Sequence, residues 1–110
     1  MSGLYLRFYT IESRRIHHSQ VHDWLLDKAK EMGIPGGSAF RAIAGYGRHG
    51  HMHEQHFFEL AQEPILVEFI LSTEQADAFL DVIRKEGLHV FYARFPAEFG
   101  VLGTSDTSAR

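Results

Sequence analysis

The chain has 110 residues, enough for one domain, and its 45% hydrophobic and 23% charged content is that of an ordinary globular protein. A net charge of −3 with no basic run excludes the electrostatic footprint of nucleic-acid or acidic-membrane binding. The lack of cysteine excludes disulfides, thiol nucleophiles and thiolate metal sites.

Residues 4–11 (LYLRFYTI) alternate and are rich in aromatic and branched side chains, which predicts a first strand. A polar link follows. Val21, Trp24, Leu25, Ala29 and Met32 then recur at three- and four-residue spacing, the stripe of an amphipathic helix. Ser19 or a neighbour is the expected cap, Gly33 the left-handed residue that ends the helix, and Pro35 blocks its continuation. Residues 38–47 predict a second strand, and residues 65–71 (ILVEFIL), opened by Pro64, a third. Ser72 with Gln75 forms a capping box for a second helix, whose stripe is Ala76, Phe79, Leu80 and Ile83 and whose end is Gly87. Residues 88–95 (LHVFYARF) predict the fourth strand.

The order β-α-β-β-α-β defines an α+β ferredoxin-like plait, a four-stranded antiparallel sheet with two helices on one face. The other face should then be polar in a monomer. Instead, Tyr5 and Tyr9, Leu66 and Ile70, and Phe91 and Phe95 leave apolar side chains on both faces. Nothing is left in the chain to cover them, so a homo-oligomer packed sheet to sheet is expected.

The block GIPGGSAFRAIAGYGRHGH (33–51) resembles the stretch of PII signalling proteins in which the second strand runs into a glycine–arginine turn. It is closer to the small PII-like proteins of unknown function. This resemblance implies a homotrimer packed through the open sheet face, with adenine-nucleotide sites in clefts between subunits. It also implies a loop after the second strand that reports the bound state to a partner protein, such as a membrane transporter. Carried across, Gly45, Gly47 and Arg48 fall on the turn, and Gly36 and Gly37 on the connection before the strand. The domain would span 1–97, with 50–63 as the loop and 98–110 as a flexible tail. The chain departs from PII proteins in a shorter loop without the modified tyrosine. It also lacks the glycine-aspartate-glycine-lysine segment before the last strand. Arg48, Arg41 and Arg94 remain as the basic residues near the cleft.

The segment GYGRHGHMHEQH (45–56) carries two chemistries. Its glycines can present successive backbone N–H groups to an anion, with Arg48 adding a bidentate fork. On an extended chain His49, His51 and His53 project to one side at steps of about 6.6 Å, and His56 or Glu54 could complete a divalent-metal shell. The alternative to nucleotide sensing is therefore metal binding, as in the divalent-ion tolerance proteins that share this plait. His17, His18 and His22 read as a solvated helix start, and His89 as part of its strand.

Catalysis has no support, because there is no Gly-x-Ser-x-Gly turn and no carboxylate pair at the predicted cleft. Glu12 is the one carboxylate beside that cleft, and a salt bridge to Arg14 or Arg15 is its expected role. Without a membrane-length apolar run, which needs roughly 20 residues, or a charged-then-apolar N-terminus, a cytoplasmic location is expected. The resulting expectation is a non-enzymatic, small-ligand-sensing regulatory protein.

Overall fold

In β1 (Ser2–Ile11) Leu4, Leu6, Phe8 and Thr10 are buried and alternate with half-exposed neighbours. The structure is a computed structural model that describes residues 1–46 and 63–103. A short hairpin of β2 (Arg15–Ile16) and β3 (Ser19–Gln20) precedes α1 (Val21–Glu31). β4 (Gly37–Arg41), β5 (Pro64–Leu71), α2 (Thr73–Lys85) and β6 (Phe91–Glu98) follow. The main sheet has the order β4-β5-β1-β6 with every neighbouring pair antiparallel, which is the ferredoxin-like plait.

Both helices pack on one face. Val21, Leu25 and Ala29 of α1 and Ala76, Phe79, Leu80 and Ile83 of α2 are buried with Leu6, Phe8, Val67, Phe69 and Leu71 of the sheet. Phe8, Phe69 and Phe79 meet edge to face, with centroids 5.3–6.1 Å apart. The second helix starts as expected: Ser72 Oγ accepts from the Gln75 N–H and the Gln75 side chain accepts from the Ser72 N–H, both at 3.0 Å. Gly33 and Gly87 end their helices at φ of 81° and 77°, where a side chain would be strained.

The first helix is capped by Gln20, the neighbour of Ser19, without a side-chain cap bond, because Ser19 is paired with Ile16 and Gln20 Nε2 reaches the Glu12 carbonyl at 2.9 Å. Three local expectations are corrected. The second strand stops at Arg41 rather than running to 47. Its partner strand begins at Pro64, which has no N–H to donate, and the Ala42 N–H to the Pro64 carbonyl closes that edge at 3.0 Å. The last strand is Phe91–Glu98, not 88–95, so Leu88 and Val90 pack on the core from the preceding turn and His89 lies outside the strand. This strand is an edge, which is why it accommodates Pro96. Beyond it, Phe99 and Met1 exchange backbone hydrogen bonds at 2.9 Å, tying the end of β6 to the start of β1.

The face away from the helices carries Phe40, Ile70, Phe91 and Phe95, all 43–51% exposed, around half-buried Tyr5, Tyr9 and Leu66. The two-sided apolar pattern read from the strands is therefore present.

A candidate ligand site at the base of the long loop

The β4–β5 pair ends where the long connection leaves and returns. Arg41 lies opposite Ile65, and the Glu12 N–H bonds the Glu63 carbonyl at 2.9 Å, so the ends of β1, β4 and β5 come together. Their three terminal side chains form a clamp. Arg41 Nη1 donates to Glu12 Oε1 and, at 2.8 Å, to Glu63 Oε1, while Nη2 donates to Glu12 Oε2 at 3.2 Å. The Arg41 hydrogen bonds hold the Glu12 carboxyl below the usual carboxylate range, and the two carboxylates raise Arg41 in turn. Glu12 is thus salt-bridged to Arg41, in place of the expected Arg14 or Arg15; Arg15 donates instead to the His18 carbonyl at 2.9 Å.

Next to the clamp, His22 Nε2 is 3.6 Å from Asp23 Oδ1, and the buried His22 Nδ1 has no hydrogen-bond partner among the described residues. The arrangement offers one guanidinium shared between two carboxylates, with no nucleophile paired to a base. It can hold strand ends together.

The predicted site residues divide. Gly45 follows the clamp, with open space around its α-carbon and exposed Tyr46 beside it. Gly37 opens the opposite end of β4, about 13 Å from Arg41 at strand rise, with Gly36 just before it. A methyl at Gly37 would come within 2.4 Å of the Phe69 ring and 3.1 Å of Leu26, so packing against the core is enough to require glycine there. Gly47, Arg48, His49, His51, His53 and His56 lie outside the described residues. Among the described residues no group of three or more His, Asp or Glu could hold a metal ion. Arg94, considered for the cleft, points to the helix side and pairs with Asp77 at 3.0 Å.

Sequence reasoning missed the clamp and a second ion pair, Arg7 with Glu68, in the middle of the open face. The clamp joins residues 29 and 22 positions apart, and only the strand register brings them together. The second pair had a signal: Arg7 has the parity of Tyr5 and Tyr9, and Glu68 that of Leu66 and Ile70.

The model of the family DUF190 (Uncharacterized ACR, COG1993) matches residues 3–90. The UPF0166 protein of Aquifex aeolicus (strain VF5) is 36% identical over 80 residues, covering 72% of this chain and 76% of that protein. The chain belongs to the DUF190 family. Its fold is that of the PII-like proteins. CPII, a nitrogen regulatory PII-like protein of Thiomonas intermedia K12 bound to ADP, AMP and bicarbonate, superposes with a TM-score of 0.64 at 17% identity, covering 92% of this chain and 91% of that one. A candidate PII-like signalling protein of Thermus thermophilus gives 0.59 at 16% identity, over 87% and 86% of the two chains. This DUF190 chain therefore has the fold implied by its 33–51 block. No helix among the described residues is long and apolar enough to cross a membrane.

Proposed function

We propose that this DUF190 chain is a small-ligand-sensing regulatory protein. In this reading it is a cytoplasmic homotrimer that binds an adenine nucleotide or another anion in clefts between subunits. The loop after β4 signals the bound state to a partner protein, such as a membrane transporter. The observation that carries this reading is the clamp of Arg41 by Glu12 and Glu63, which fixes both roots of that loop at one sheet end, beside Gly45. A protein of the same fold, CPII, binds ADP, AMP and bicarbonate, which supports the ligand class.

The clamp also bears on charge. Two carboxylates face one guanidinium, so the floor of the site is net negative, and Arg41 and Arg94 are both committed to carboxylates. Of the expected basic residues, Arg48, which lies outside the described residues, is the one assigned here to meet an anion. Such a site suits AMP, ADP or bicarbonate better than a triphosphate. Signalling requires the ligand to bind one loop state more tightly than the other, and no covalent step.

The test is a thermal-shift series on tag-free, chelator-treated protein with AMP, ADP, ATP, bicarbonate, Zn²⁺ and Ni²⁺. A ligand at 100 times its Kd adds about 2.7 kcal/mol. A nucleotide or bicarbonate shift that is lost in Arg48→Ala is the expected result. A shift with metal alone, kept in Arg48→Ala and lost in the double variant His51→Ala and His53→Ala, would overturn the reading.

A further inference from the structure

The open sheet face is apolar at its edges and charged at its centre. Arg7 of β1 and Glu68 of β5 lie directly opposite each other in register and pair, Nε to Oε2, at 3.0 Å. Arg7 also reaches along its own strand. Its Nη1 donates to the Tyr9 hydroxyl and its Nη2 to the Tyr5 hydroxyl, both at 3.3 Å, and its guanidinium carbon stands 5.4 and 5.9 Å from the Tyr5 and Tyr9 ring centroids. Positions 5, 7 and 9 share one side of the strand, so the whole group faces outward from the helices. Phe40, Leu66, Ile70, Phe91 and Phe95 surround it. With side chains only 30% and 17% exposed, Arg7 and Glu68 have already lost much of their water in a single chain.

A cover for this face must accept a charge pair in its middle. A purely apolar partner, such as a lipid surface, would remove the remaining water from both charges and offer nothing in return. A partner of strong net charge would match one member and repel the other. A second copy of this chain brings one arginine, one glutamate and two tyrosine hydroxyls on an equally apolar field, so each charge can meet its opposite on the neighbouring copy. Any slip between copies would set a charge against phenylalanine or isoleucine.

We propose that the Arg7–Glu68 pair, framed by Tyr5 and Tyr9, fixes the register of a contact between copies of this chain across their open sheet faces. It thereby restricts that face to chains carrying the same pair. A polar group buried in an apolar contact lowers stability and selects one alignment, as a single polar residue does in a coiled-coil seam. The proposal rests on the homo-oligomer reading above and assigns the residues that make it specific.

Light scattering coupled to size exclusion at micromolar concentration tests it, with circular dichroism as the check on folding. Wild type should be one oligomeric species. Arg7→Glu and Glu68→Arg each place like charges together and should self-associate roughly a hundredfold or more weaker. The charge-swapped variant Arg7→Glu with Glu68→Arg again carries one charge of each sign and should recover the wild-type mass. The double variant Arg7→Met with Glu68→Leu, which removes the charges and keeps the bulk, should assemble without a single defined mass. A charge-swapped variant that is folded yet stays dissociated overturns the proposal. So does an Arg7→Met, Glu68→Leu variant that gives the wild-type mass as one species with unchanged exchange kinetics. A monomeric wild type removes the oligomer reading itself and the proposal with it.

Discussion

Phe79 tests how α2 is held on the sheet. Its side chain is fully buried and meets Phe8 at 5.7 Å and Phe69 at 5.3 Å, with interplanar angles of 79° and 86°. It therefore joins α2 to β1 and β5 through two edge-to-face contacts. Phe79→Ala removes the ring and leaves a cavity between a helix and a sheet that cannot both collapse onto it, a loss of about 3–5 kcal/mol. Phe79→Leu keeps most of the volume and forfeits the ring geometry. Its loss should be about 1–2 kcal/mol, in line with about 0.5–1.5 kcal/mol for each aromatic pair. A domain of this size has roughly 5–15 kcal/mol in total, so the alanine variant should unfold at a much lower denaturant midpoint. Urea unfolding at two protein concentrations separates this effect from assembly, and an unchanged slope would show that the unfolded reference is the same. A loss below about 1 kcal/mol for Phe79→Ala would refute the three-ring packing.

Two further predictions concern the ends of β4. Gly37→Ala should cost about 1–3 kcal/mol, because the new methyl would collide with the Phe69 ring, whereas Gly45→Ala, with open space around it, should leave the melting temperature nearly unchanged. Thermal melts of both variants check the contrast, and equal effects would contradict it. The clamp predicts a pH dependence. The folded Glu12 carboxyl titrates below its unfolded value, so its contribution is fully present above the unfolded pKa and is lost as the pH falls through the folded one. The stability gap between wild type and Glu12→Gln should therefore be constant near neutrality and close under acid, as read from urea midpoints across that range. A gap that widens on acidification would show the sign to be wrong.

The helices were legible because local chemistry determines them. The apolar stripe of α2, its Ser72–Gln75 box and its terminal Gly87 all act within a few residues, and each is found where the pattern put it. The strands were legible in type and less so in extent. Whether 42–47 continues β4 depends on what its neighbour can donate, and Pro64, twenty-two residues past Ala42, settles that. Ser19 was a sound capping residue by composition but was already engaged in a hairpin that its own two residues do not announce.

The site was legible only in part for the same reason. Glycines and arginines in the 33–51 block are visible as letters, yet Gly37 answers to Phe69 and Leu26, and Arg41 to Glu12 and Glu63, partners set by strand register. By itself the sequence determined the order of elements, the buried stripes and the surplus of apolar side chains on the sheet, since these follow from periodicity and nearby capping groups. Only the tertiary structure decided which charges meet, because a pair such as Arg7–Glu68 spans 61 positions and exists only once two antiparallel strands have chosen their alignment.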